Sequence, residues 1–424
     1  MSAPPFDVTV YGATGFTGKL ISQYLATHPE APKLVLAGRN PEKLQATLNQ
    51  LHGLSKERLE TITLVQATVD NKQSLAHLAR TSKVLINAAG PYTLHGGFDI
   101  AQAVTEAGNA YLDLTGETSL YARMVEKLHP IAKQNKAIIV PSAGFDSLPF
   151  DLATFLAVEE VKKVAGVESA VSKVLVGYRL RASVSGGTVY SGLVACEEDP
   201  TSLRNDRPYW FSPVKGTQVR AGTMPRFMPQ FGKYGTEIML SAHNTRIVNR
   251  TWGLLEESHV PIRYGPNFQY EEGLVIPSYI LALFMTMFLH VFAFLLEHCT
   301  FVVRLMSKFI PPGSGPSIEE QLKGYVELRA LAFGQDGKTK GLSTFYTKGD
   351  PGYLKTAAFI SEAGLSIALN PELLSPLAQQ GGVLTPAILG TEILRDRLTK
   401  FAGVSIHATD VTHAENIPKV FARG

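Results

Sequence analysis

Three glycines at the junction of a strand and a helix constrain this chain more than any other feature. In VTVYGATGFTGKLISQYLATH, residues 8–28, a short apolar run from Val8 to Tyr11 meets Gly12, Gly15 and Gly18, and an amphipathic helical pattern follows. Each glycine removes a side chain where the backbone turns sharply or approaches another group closely. A tight turn at Gly12, open space for an anion at Gly15 and close helix-on-strand packing at Gly18 are the requirements of a dinucleotide-binding turn. The helix N-terminus beyond it offers unpaired N–H groups and a partial positive charge to a pyrophosphate, with no basic side chain needed. Gly12, Ala13, Thr14, Gly15, Phe16, Thr17 and Gly18 are therefore the first candidate cofactor-binding residues.

The unit repeats along the first third of the chain. The apolar runs DVTVYG, KLVLAG, ITLVQATV, KVLINAAG, AYLDLTG and AIIVPSAG alternate with segments whose apolar residues recur three and four apart. Such alternation predicts right-handed crossovers and a parallel sheet with helices on both faces. Residues 1–145 are expected to form this α/β, Rossmann-like, doubly wound domain, with Gly53 and Gly108 at helix C-caps.

Two later segments change character. SKVLVGYRLRASVSGGT and GYVELRALAFGQDGKTKGLSTFYTKGD alternate apolar and polar positions as half-exposed strands do, with GQDGKTKG as a hairpin turn. They predict a second, α+β domain with a mixed sheet, begun in residues 146–272 and completed in 318–390. Between them, Leu274 to Leu296 carries no acidic or basic residue except His290, which exceeds the ~20 residues of a bilayer-spanning helix. A single crossing would separate the two halves of the second sheet. The preferred reading is an apolar membrane- or lipid-associating insertion, 273–312, with His290, Glu297, Arg304 and Lys308 along one polar stripe. A buried core helix is the plainer alternative. The tail, 391–424, is expected to supply a helix ending at Gly403 and to pack back on the first domain.

Composition narrows the function. A formal net charge of +3 in 424 residues, with scattered Lys and Arg, argues against a nucleic-acid partner. Cys196 and Cys299 make neither a disulfide framework nor a metal-ligand pattern, so no metal is expected. The start, MSAPPFDVTV, lacks the marks of a secretory or transit peptide. A reducing, cytosol-facing location fits, on a membrane, endoplasmic reticulum or lipid-droplet surface. Whether chains pair as a homodimer stays open.

The mouth of the predicted sheet supplies further candidates. LAGRN ends the second strand with Arg39 and Asn40, where an NAD-selective domain carries an acidic residue. A guanidinium there clamps a 2′-phosphate by paired hydrogen bonds; the plainer fate of Arg39 is a solvated surface. The register favours NADP(H). INAAGPY ends the fourth strand with small residues, and Ala89, Gly90 and Pro91 leave room for the cofactor. In SAGFDSLPFD, Asp146 either faces the crevice or caps the following helix.

Taken in order, YGATGFTG, AGRN, NAAGPY, DLTGE, GFDSLPFDL, SGGT and GDPGY resemble the saccharopine dehydrogenase-like oxidoreductases, a family that includes trans-acting enoyl reductases, over nearly the whole chain. The resemblance implies an NADP-binding domain followed by an α+β domain and, for the eukaryotic branch, membrane or lipid-droplet association. Lysine metabolism is not implied, because basic residues for two carboxylates cannot be assigned. No tyrosine is followed four residues on by lysine, which excludes the usual chemistry of short-chain dehydrogenases. Tyr190, after SGGT, and Tyr353, in GDPGY, are candidate donors at strand-to-helix junctions; the plainer reading of the first is a glycine turn, a Thr188 helix cap and a Tyr190 that packs in the core. Three functions follow: an NADP(H)-dependent oxidoreductase of an apolar or lipid-like substrate, a non-catalytic NADP(H)-binding lipid-surface scaffold or sensor, and a soluble trans-acting enoyl reductase serving a polyketide pathway.

Overall fold

The computed structural model describes residues 4–183, 190–194, 199, 206–217, 224–298 and 315–413, without the side chains of residues 296 and 297. The six apolar runs form strands β1 (Phe6–Tyr11), β2 (Leu34–Gly38), β3 (Thr63–Gln66), β4 (Ser82–Asn87), β5 (Ala110–Asp113) and β6 (Ile138–Val140). Between them run α1 (Phe16–Ala26), α2 (Pro41–Gln50), α3 (Lys56–Glu60), α4 (Lys72–Thr81), α5 (Gly97–Ala107) and α6 (Thr118–Asn135). Val8, Val10, Leu34, Leu36, Val84 and Ile86 are fully buried, as expected of parallel strands covered on both faces. Asn40 and Asn71 start α2 and α4 by accepting from the N–H groups of Lys43, at 2.8 Å, and Ser74, at 3.0 Å. Gly108 caps α5 at φ +74°, whereas the cap of α2 is Leu51 and Gly53 stands two residues beyond it.

The second half contributes α7 (Leu148–Ala165), β7 (Val171–Arg181), β8 (Arg226–Met228), β9 (Lys233–Thr236), α8 (Ser241–Glu257), β10 (Gln269–Ile276) and α9 (Tyr279–His298). Then come α10 (Ile318–Leu322), β11 (Tyr325–Gly334), β12 (Lys340–Lys348), α11 (Thr356–Leu369), α12 (Pro376–Gln379), β13 (Gly382–Val383), α13 (Thr391–Phe401) and β14 (Ser405–Asp410). The first sheet is parallel, in the order β13-β6-β5-β4-β1-β2-β3. Its strand order reverses between β1 and β4, which opens a crevice at their carboxyl ends. The second sheet runs β14-β12-β11-β7-β10-β9-β8; β7 and β10 are parallel and the other pairs antiparallel. At the β11–β12 hairpin, Asp336 accepts from the N–H groups of Lys338 and Thr339, both at 2.9 Å, and Gly337 takes φ +70°.

Three elements lie elsewhere than the sequence reading puts them. Helix α11, assigned to the second domain, packs on β1, β4 and β5 of the first. A Cβ at Gly364 would stand 3.2 Å from Ile86 Cδ1, so helix and strand are close. Strand β13 extends the first sheet beside β6. Strand β14, beyond the expected tail helix, completes the second sheet against β12.

The apolar insertion also divides. Gly273–Ile276 belong to β10, and the helix starts only at Tyr279. Among the described residues no helix is long and apolar enough to cross a membrane. Helix α9 meets the second domain through a thin seam: Thr286 Oγ1 donates to Thr236 Oγ1 at 3.3 Å, Ala282 is fully buried, and Tyr279 lies edge-on to Tyr234 at 5.4 Å. His290 sits on this helix with Nδ1 at 2.8 Å from Thr286 O. The side chain of Glu297, with Arg304 and Lys308, lies outside the described residues, as do Cys196 and Cys299.

A buried ionic cluster ties α13 to the first domain. The fully buried Glu362 of α11 accepts from Tyr24 Oη at 2.6 Å and Arg397 Nε at 2.9 Å, with His28 Nε2 at 3.0 Å. Arg397 also donates to Glu30 and Asn370. Removing one partner from such a cluster strands a desolvated charge. Arg397→Ala is expected to destabilise the protein by ~3–5 kcal/mol, read as a lower urea midpoint, with Arg397→Lys recovering part of the loss.

Candidate functional site

The turn between β1 and α1 is built from close backbone contacts. Gly12 takes φ +79°, and a Cβ there would stand 2.8 Å from the Ala89 nitrogen. A Cβ at Gly18 would collide with the Gly12 carbonyl, so α1 sits directly on the turn. The Gly15 N–H donates to Gly12 O at 3.0 Å. Gly15 is also the N-cap of α1, and no side chain caps the helix. The first amides of α1, at Phe16, Thr17 and Gly18, therefore point without a side-chain partner toward the crevice mouth. Ala13 and Thr14 complete the turn.

Behind the turn, Phe16 lies edge-on to Tyr353 at 5.4 Å, and Gly315 abuts the same ring. Tyr353 is buried in the turn that follows β12. Its observed role is to back Phe16. Asp350 holds that turn by accepting from the N–H groups of Gly352, Tyr353 and Ser183 at 2.9, 3.2 and 2.6 Å.

Ala89, Gly90 and Pro91 follow β4 and lie against the glycine turn, with a cis bond between Gly90 and Pro91. What holds this loop is a residue that sequence reasoning quoted in DLTGE but did not interpret. Glu117, buried at the start of α6, accepts from the Tyr92 N–H at 2.7 Å, the Thr93 N–H at 2.8 Å and Thr93 Oγ1 at 2.7 Å. The Glu117 N–H donates to Thr115 Oγ1 at 3.0 Å. Ser142, at φ +59°, donates to Thr115 O at 2.5 Å and stands 3.0 Å from His243 Nε2 of α8. Burial, reinforced by Arg246, pushes the His243 imidazole down to about 3, so it stays neutral. This polar chain joins the loop to the second domain.

The remaining candidates separate. Residues 190–194 are helical, and Ser191 Oγ lies 3.5 Å from where a Cβ on Gly90 would stand, so Tyr190 is carried to the same loop. The SGGT residues fall within the undescribed 184–189. Asp146 is half-buried beyond β6, and burial raises its carboxyl to about 6. It does not cap α7: Ser147 is the N-cap, and α7 has no side-chain cap bond. Arg39 is exposed at the end of β2, and Asn40 is occupied in capping α2. Among the described residues no cluster suits a metal ion.

Because Glu117 satisfies the buried Tyr92 amide and the half-buried Thr93 amide, its truncation removes the partner of both. Glu117→Ala is expected to weaken NADPH binding at least tenfold, about 1.4 kcal/mol, in equilibrium titration. Glu117→Gln should recover part of that loss.

A family model described as the saccharopine dehydrogenase NADP binding domain matches residues 8–140. The chain is 31% identical over 435 residues to a trans-acting enoyl reductase of Mycobacterium tuberculosis, covering 95% of this chain and 98% of the relative. It is 29% identical over 431 residues to a trans-acting enoyl reductase of Mycobacterium ulcerans, covering 95% and 98%. Among solved structures it is similar to GenD2 from gentamicin A biosynthesis in complex with NAD, at 13% identity, 97% coverage of both chains and a TM-score of 0.37. The chain belongs to the saccharopine dehydrogenase-like, NADP-binding oxidoreductases that include the trans-acting enoyl reductases.

Proposed function

We propose that the protein uses NADPH to reduce an activated carbon–carbon double bond in an apolar acyl or lipid-like substrate. The observation that carries this reading is the approach of residues 190–194 to Gly90, which brings the second domain over the mouth of the first sheet. A substrate between the domains would meet the cofactor crevice away from water. The activity named for the relatives supports enoyl reduction in trans.

When bound, NADPH supplies a hydride to the carbon β to the carbonyl, leaving NADP⁺. The α-carbon then needs a proton. Asp146 is suited to hold it, because a half-buried carboxyl raised to about 6 keeps a protonated fraction near neutrality. Its carboxylate regains the proton from solvent. Tyr190, beside the same loop, is the second candidate donor.

Attachment rests on a separate feature. Ile280, Phe284, Met287, Phe288, Val291 and Phe294 of α9 are exposed, Ile280 at 78% and Phe284 at 68%. Contiguous apolar surface of this kind marks an interaction site. We read it as the face that rests on a cytosol-facing membrane or lipid-droplet surface. The names of the relatives favour a second reading, in which the same face meets the enzyme that carries the acyl chain.

Purified protein with NADPH and an enoyl thioester is expected to lose cofactor absorbance and yield a product two hydrogens heavier. No oxidation across thioester and lipid acceptors would leave a non-catalytic NADP(H) sensor. Turnover should fall as pH rises through about 6, the raised value for Asp146. Asp146→Asn should slow it ~10²–10⁴-fold and flatten the profile. The paired change Phe284→Glu and Phe288→Glu should abolish co-sedimentation with phospholipid vesicles while sparing NADPH binding. Failure of the unaltered protein to sediment would sink the lipid-surface reading in favour of the partner enzyme.

A further inference from the structure

The loop after β4 carries a group that the cofactor reading leaves unused. His95 is half-buried, and its backbone N–H donates to Pro91 O at 3.1 Å. The next residue, Gly96, takes φ +69°, and a Cβ there would stand 2.8 Å from Val69 Cγ1. The loop is thereby pressed onto the segment beyond β3. That segment is joined in turn to the end of β2: the Ala67 N–H donates to Gly38 O at 3.0 Å, and Gln66 Nε2 donates to Arg39 O at 3.2 Å. His95 and Arg39 are thus brought to one side of the crevice mouth by three loops that contact one another.

Neither the Arg39 guanidinium nor the His95 imidazole makes a hydrogen bond or ion pair among the described residues. The Arg39 charge reaches His95 and, after burial, is the second cause holding its imidazole below the ordinary value. The other titratable groups nearby are Asp70 and Tyr11, which sense each other beside Arg39, and Asp99 in the first turn of α5. None of these three is a cause of the His95 shift. A dianion beside both groups would offset the Arg39 charge and favour the imidazolium.

We propose that His95 is a second cationic arm of the 2′-phosphate site, acting with Arg39 to select NADP(H) over NAD(H). The inference rests on Arg39 marking that site. Without cofactor, Arg39 disfavours the imidazolium; a 2′-phosphate dianion reverses the sign and draws a proton onto His95. NADPH binding therefore takes up a proton near neutrality. The raised, bound-state value means that the gain is full at low pH and is lost as pH rises through it. The ionisation of the phosphate itself, with a second pKa near ~6, acts in the opposite direction, because binding to a cation favours the dianion.

The test is calorimetric titration of the full chain with NADPH and with NADH from pH 6 to 8.5, in two buffers of different ionisation heat. The unaltered protein should take up protons with NADPH at pH 7.5 and none with NADH. Its NADPH affinity should fall across the range by about tenfold for each unit the phosphate raises His95. His95→Gln should abolish the uptake and the fall, while unchanged NADH affinity shows that the variant is folded. Equal uptake and equal profiles in the two proteins, with Arg39→Ala still weakening NADPH more than NADH, would overturn the role of His95 alone. Equal loss of both nucleotides in Arg39→Ala would overturn the 2′-phosphate location, and this proposal with it.

Discussion

Backbone meets backbone at Gly12, and the cofactor site depends on that contact. With no side chain at Gly12, the turn after β1 can rest against the amide of Ala89, and with none at Gly18, α1 can press on the turn from behind. Substituting either glycine would push apart the two loops that flank the strand-order reversal. The helix N-terminus would no longer aim at the space between them. The turn carries no side-chain cap of its own. The supporting groups come from far along the chain: Tyr353 and Gly315 behind Phe16, and Glu117 beneath the β4 loop.

The sequence was most legible where local pattern and tertiary environment agree. The inner strands of the first domain, β1, β2, β4 and β5, are largely buried, so each is an apolar run bounded by turn residues. The hairpin at Asp336 and Gly337 was visible through its turn chemistry. Other features depend on partners that pattern does not reveal. Strand β13 is two residues long and exists only because β6 offers an open edge. Helix α11 is buried on every side, from Thr356 to Ala368, so it has no amphipathic stripe to show which domain it serves. Glu117 looks like any acidic residue at the start of a helix until the amides of Tyr92 and Thr93 are seen above it. Asp146 looked like a helix cap, yet α7 begins without one.

Helix α9 reverses the arrangement common on soluble proteins. Its small and polar positions, Ala282 and Thr286, face the second sheet, while its large apolar side chains face outward. The polar stripe read from the sequence, His290, Glu297, Arg304 and Lys308, does not include the seam at Ala282 and Thr286. The reason is physical: β9 presents Thr236 at the contact, so the small, hydrogen-bonding face of the helix fits there and the bulky face does not.

The order of the elements also bears on how the chain is made. The first sheet lacks α11 and β13 until residue 383 has been synthesised, and the second lacks β14 until residue 410. Neither half can finish as an independent unit before those late residues are made, unlike domains that mature one after another during translation. The faces of β1, β4 and β5 destined for α11 therefore stay uncovered by it until residue 369 has been made, a stretch in which exposed apolar surface invites chaperones.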